Sequence, residues 1–80
     1  MYFSPNQCKA ARGLLGWNQA TLADKADVGE KSISDFETGK IQPTRRTMAN
    51  LRRAFKKAGI IFVAASEASP PAGEGVRRRK

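Results

Sequence analysis

The sequence predicts a mainly α protein, a compact bundle of four to five helices closed by a short C-terminal β-strand or hairpin. Three observations carry this reading. Apolar residues recur at spacings of three and four as far as Ala58. Each periodic stretch is opened by Ser, Asn, Gly or Thr and followed by a residue suited to a helix end. Beyond Gly59 the pattern changes to the run Ile60-Ile61-Phe62-Val63, too short for a helix and rich in branched side chains. With 80 residues the chain has room for one small domain. It divides into a helical part over 1–59 and a strand or hairpin with a basic tail over 60–80.

Ser4-Pro5 opens the first helix. Ser caps, and Pro at the first helical position gives up an N–H that has no helical partner. Cys8, Ala11, Leu14 and Leu15 follow at helical spacing, and Gly16 suits the left-handed residue that ends a helix. Asn18 caps the second helix, over 19–27, with Trp17 placed to pack on Leu22 as a hydrophobic staple. Asp27-Val28-Gly29 is a break. A third helix covers 30–38, with Ile33 and Phe36 facing inward and Gly39 ending it. Pro43 disfavours helix at Gln42, so 40–43 is a loop. Thr44 caps a longer helix from Arg45 to about Ala58, with Met48, Leu51, Phe55 and Ala58 as its buried stripe. A strand over 60–64 and a loop over 66–75 follow. A second short strand over 75–78 would pair with the first in a hairpin, or the first would pair with its copy in another chain.

Fifteen Lys and Arg stand against seven Asp and Glu, for a net charge of +8. Eleven of the basic and five of the acidic residues precede residue 66, so the excess is not confined to the tail. A folded basic domain points to a polyanionic partner. Arg52, Arg53, Lys56 and Lys57 read as the solvated face of the long helix. Enzyme chemistry has little to work with: the chain has no His, a single Cys and no Gly-rich phosphate loop. No cofactor or metal is expected. One cysteine forms no internal disulfide and suits a reducing compartment, with Cys8 as a small core residue. The absence of a long apolar run or a signal-like N-terminus gives the expectation of a cytoplasmic, nucleoid-associated protein without membrane contact.

Two short helices joined by a tight turn, over 19–27 and 30–38, have the layout of a DNA-binding helix-turn-helix. The first braces against the phosphate backbone. The second turns one face to base edges, so Ile33 and Phe36 point inward and Glu30, Lys31, Ser34 and Asp35 point out. These four are the expected base readers. Lys31 suits guanine acceptors, and the carboxylates of Glu30 and Asp35 suit cytosine N4 or the orientation of Lys31. Gln19 and Ser32 are expected on phosphates. Arg45 and Arg46 stand in the first turn of the long helix, where cations oppose the helix dipole. With Lys40 they are expected to meet the same phosphate strand.

At this point the chain resembles the phage Cro/repressor-like helix-turn-helix proteins, over roughly residues 8–55. The resemblance rests on Trp17-Asn18-Gln19, Leu22-Ala23, Val28, Ser32-Ile33-Ser34, Phe36-Glu37-Thr38-Gly39-Lys40 and Pro43. It implies a lambda-repressor-like bundle that binds operator DNA as a dimer, and supports the phosphate role of Gln19. It also implies that Arg12 and Glu37 pair within the fold. Ala58-Gly59-Ile60-Ile61-Phe62 and Gly75-Val76-Arg77 further resemble the C-terminal outline of a bacterial subgroup. The chain departs from the pattern at Asp27, where Gly is usual, and at Gly29, where Ser or Thr often caps.

The function expected is a bacterial or phage transcriptional regulator, a repressor more than an activator, bound as a homodimer to an inverted repeat in double-stranded DNA. The alternatives are an antitoxin whose 60–63 strand binds a protein partner, and a nucleic-acid-binding adaptor. The adaptor lacks the exposed aromatic residues that base stacking would use.

Overall fold

The computed structural model describes residues 3–63 and 75–78. The expected loop over 66–74, Ala64 and the last two residues of the basic tail lie outside the described residues. Four helices, α1 (Pro5–Leu15), α2 (Gln19–Ala26), α3 (Glu30–Glu37) and α4 (Arg45–Lys57), are followed by strands β1 (Ile60–Val63) and β2 (Gly75–Arg78). The fold is mainly α, as the sequence indicates, with four helices.

Local chemistry sets the helix boundaries. Ser4 accepts from the Gln7 N–H at 3.1 Å, and the Gln7 side chain accepts from the Ser4 N–H at 2.9 Å, completing a capping box. Asn18 accepts from the Thr21 N–H and Thr44 from the Thr47 N–H. Gly29 caps α3 through its backbone alone. The C-terminal ends of α1, α2 and α3 follow one scheme. Gly16 and Gly39 take φ +71° and +79°, and the next N–H reaches back to the last turn: Trp17 to Arg12 O at 2.9 Å, Lys40 to Asp35 O at 2.9 Å. Asp27 does the same at φ +58°, with Val28 N–H donating to Ala23 O at 3.1 Å. It is the one non-Gly residue with positive φ among the described residues. The turn therefore forms, at a strain of roughly 1 kcal/mol for a side chain in this region.

Leu22, Ile33, Met48, Leu51, Phe55 and Cys8 are fully buried and form the centre of the core. Two expectations shift. Leu14 is 44% exposed, since the buried face of α1 runs through Gln7, Cys8 and Ala11. Ala58 is only partly buried, as it caps α4, and Ala54 joins Met48, Leu51 and Phe55 in the buried stripe instead.

Phe3 is a core residue that helical periodicity does not reveal, because it precedes the cap. It stacks on Phe62 (4.5 Å between centroids, 2° between planes) and meets Phe36 and Phe55 edge-on. This aromatic group joins the N-terminus, α3, α4 and β1. The strands pair antiparallel, with Ile60 opposite Arg78 and Val63 opposite Gly75. Of the two pairings open to the first strand, the structure holds the hairpin. β1 lies against α4 and β2 against α1, so the hairpin closes the open side of the bundle.

Candidate nucleic-acid interface

α3 is amphipathic, and its two faces have different surroundings. Ile33 and Phe36 lie in the core at 0% and 3% exposure, while Glu30, Lys31 and Ser32 are exposed and Ser34 is half-buried. Three of the four positions expected on the outward side, Glu30, Lys31 and Ser34, are therefore accessible at least in part, as is the expected phosphate contact Ser32. Asp35 is not, which corrects the reading from sequence. It is 8% exposed. The reason is tertiary: the chain after α3 folds back over that side, with the Lys40 and Ile41 N–H groups donating to the Asp35 carbonyl. A helical wheel of α3 alone does not contain this loop. The Asp35 carboxylate instead accepts from Lys31 Nζ at 3.3 Å, an i,i+4 pair in which the Lys31 side chain stays 86% exposed. Such a pair contributes about 0.3–0.5 kcal/mol, so it orients Lys31 more than it stabilises α3.

Behind α3 lies a second, buried polar group centred on Glu37. The Arg12 guanidinium donates to both carboxylate oxygens, from Nε at 2.8 Å and from Nη2 at 2.7 Å. The Gln19 amide donates at 3.0 Å and the Cys8 thiol at 3.0 Å. Arg12 also donates to the Trp17 carbonyl. One carboxylate at the end of α3 thus ties together α1, the α1–α2 link and the start of α2. Burial acts to raise the Glu37 carboxyl, but the hydrogen bonds from Arg12, Cys8 and Gln19 outweigh it and hold the carboxyl below its ordinary value. The bond to Glu37 raises Arg12 in turn. Burial pushes the Cys8 thiol well up, and the Glu37 carboxylate adds to this. The thiol is therefore a neutral donor at physiological pH, not a nucleophile.

This network gives Gln19 a contact that the sequence reading did not include. Its side-chain amide is directed to Glu37, which leaves the backbone N–H groups at the start of α2 as the part suited to an anion. The interaction joins residues in separate helices, so neither spacing nor composition signals it.

The remaining cations divide into two sets. A small groove of about 160 Å³ between α3 and the start of α4 is lined by Ser32, Asp35, Ile41, Gln42, Thr44 and Thr47, among others. Ser32 on α3 and the Thr44 cap of α4 thus face one space, with exposed Lys40 and Arg45 at its sequence borders. Ile41, 58% exposed in the same loop, is an apolar surface residue that the sequence reading passed over. Arg46 departs from Lys40 and Arg45. It lines a different groove, between α2 and α4, with Lys25 and Asp27. Successive helical residues are about 100° apart, so the adjacent arginines address different surfaces.

Among the described residues there is no cluster of His, Cys, Asp and Glu that could hold a metal ion. None of the described helices is long and apolar enough to cross a membrane. No curated protein matches the chain in a sequence search. A scan against protein families matches the helix-turn-helix family over residues 9–59, which takes in α2, α3, α4 and the later part of α1. The chain belongs to this helix-turn-helix family, of Cro/repressor-like type, and is a DNA-binding transcription regulator.

Proposed function

We propose that the protein is a sequence-specific repressor that binds an inverted repeat in double-stranded DNA as a homodimer, with α3 in the major groove. The observation that carries this reading is the division of α3: Ile33 and Phe36 are locked in the core, while Lys31 projects with its side chain 86% exposed and tethered to Asp35. A helix held on one side and polar on the other meets the requirement for groove reading. Lys31 donates to guanine O6 or N7, and Ser34 and Glu30 complete the base contacts. Asp35 acts through Lys31. Ser32, Lys40, Arg45 and the backbone at Gln19 contact phosphates and set the register, and Arg46 meets the backbone from the edge of its own groove. Arg12 and Glu37 hold α1, α2 and α3 in the arrangement this docking needs. The protein acts on DNA in the cytoplasm, at the nucleoid.

The hairpin over 60–63 and 75–78 is the dimerisation element in this reading. A two-stranded sheet leaves each strand one outer edge, to which a second copy can add. The apolar composition of β1 equally favours an antitoxin-type regulator, in which a protein partner takes that edge.

Selection of bound duplexes from a randomised pool at physiological salt tests the proposal. The expected product is an inverted repeat with half-sites about 10 base pairs apart. Recovery of only salt-sensitive, sequence-indifferent duplexes would overturn it. Sedimentation showing only monomer at micromolar concentration, with and without the selected duplex, would remove the dimer.

A further inference from the structure

The face of α4 turned toward α2 carries a row of polar and cationic side chains of which the DNA reading uses only the first, Arg46. Arg46, Asn50, Arg53 and Lys57 follow at steps of four, three and four residues, one continuous stripe along α4. At 1.5 Å per residue the stripe runs for about 16 Å. Lys25 and Asp27, from the end of α2, form the opposite wall of a groove of about 340 Å³. Lys25, Arg46, Arg53 and Lys57 are all exposed, and none is in an ion pair among the described residues. Four cations thus converge from two helices on one groove that holds a single carboxylate.

The far end of this groove changes character. Lys25, Ala54 and Lys57 also line an adjoining hollow of about 330 Å³, whose other walls are Trp17 and Ala58. The indole is half-buried, stacked on Phe55 (5.9 Å, 18°), with Lys25 Nζ 5.8 Å from its centroid. A surface that is cationic along one stretch and apolar at its end, over about 16 Å, suits an extended chain of about five residues. Alternate residues of such a chain are roughly 6.6 Å apart, close to the axial separation of about 6 Å between Arg53 and Lys57.

We propose that the α2–α4 groove is a docking site for an acidic protein segment: carboxylates along Lys25, Arg53 and Lys57, followed by an apolar side chain against Trp17, Ala54 and Ala58. The charge complementarity and the apolar end select this occupant over a DNA duplex. A duplex presents a rigid, uniformly anionic ridge and has no group for the hollow beside Trp17. Binding here gives the DNA-bound regulator a second contact, independent of the base-reading side of α3.

The test uses the full chain and a fluorescein-labelled peptide of alternating Glu and Asp ending in Leu-Phe, with anisotropy as the readout. The same peptide ending in Gly-Gly and a labelled duplex of random sequence are run beside it. We expect the Leu-Phe peptide to bind at least tenfold more tightly than the Gly-Gly peptide. We expect the double variant Arg53→Glu, Lys57→Glu to weaken it at least tenfold, while Arg52→Glu, Lys56→Glu on the same helix changes it less than threefold. Melting temperatures check that both variants are folded. Equal binding of the two peptides, or equal losses in the two double variants, would show charge attraction without a site and overturn the proposal. A tenfold loss of duplex binding in Arg53→Glu, Lys57→Glu, with the peptide displaced by duplex, would assign the groove to DNA and overturn it as well.

Discussion

Replacing Glu37 by Ala removes the acceptor on which four donors converge: Arg12 Nε and Nη2, Gln19 Nε2 and Cys8 Sγ. The Glu37 side chain is 3% exposed and that of Arg12 19%. Removing one partner of a buried ion pair costs about 3–5 kcal/mol, because the other charge is left unpaired in a poorly solvated place. The residual exposure of Arg12 lets water reach part of the guanidinium, which brings the expected loss to roughly 2–4 kcal/mol. For a chain of this size each kcal/mol moves the melting temperature by about 4–8 °C, so a fall of roughly 8–32 °C is expected. Thermal and urea denaturation followed by circular dichroism measures it. Arg12→Ala and the double variant close a cycle, whose coupling energy should be at least about 1 kcal/mol. A fall of less than ~3 °C in Glu37→Ala, or additive losses in the cycle, would refute the reasoning. Weakened DNA binding at unchanged stability would instead make Glu37 an interface residue.

Three further predictions concern the same structure. Because the fold holds the Glu37 carboxyl below its ordinary value, its contribution is complete above the unfolded value near 4.3 and is lost as pH falls through the folded one. The melting temperature should therefore drop on acidification below about pH 4.3, and more shallowly in Glu37→Gln, so identical slopes would contradict the assignment. Cys8 is the opposite case: its raised thiol favours the fold below an unfolded value near 8.5, and this preference is lost as pH climbs from there toward the folded one. Cys8→Ala should flatten the alkaline limb, and alkylation of Cys8 by iodoacetamide should occur only as fast as the protein unfolds. Asp27→Gly relieves a left-handed side chain at the end of α2. It should stabilise by about 0.5–1 kcal/mol after the greater freedom of glycine in the unfolded chain is allowed for. A lower melting temperature would show that the Asp27 side chain contributes more than its strain costs.

Much of this fold is legible in sequence because its signals are local. Ser4-Pro5, Asn18 and Thr44 announce helix starts, Gly16 and Gly39 announce ends, and Asp27 can be read as a tolerated left-handed residue from the turn it occupies. What escapes depends on contacts between elements. Phe3 lies one residue before a cap, outside any helical period, although its place ahead of Ser4 and that of Cys8 in the first turns fit a hydrophobic staple. Asp35 looks exposed on a wheel of α3 and is covered by the loop that follows. Gln19 looks free, yet its amide is directed to Glu37, 18 residues away. The cationic groove is visible in sequence as half a pattern: the stripe on α4 can be counted, but Lys25, Asp27 and Trp17 join it only in the folded chain.

The central claim is that Lys31 reads a base while Lys40 and Arg45 hold phosphates. The most direct test is binding of the protein and of Lys31→Ala to the selected duplex and to its full set of single base-pair substitutions. The expected result is a loss of discrimination, worth about 1–3 kcal/mol, at one position in each half-site, with the other positions and the salt dependence little changed. A uniform weakening across all duplexes, with a shallower salt dependence, would make Lys31 one more phosphate contact and contradict the placement of α3 as the reading helix.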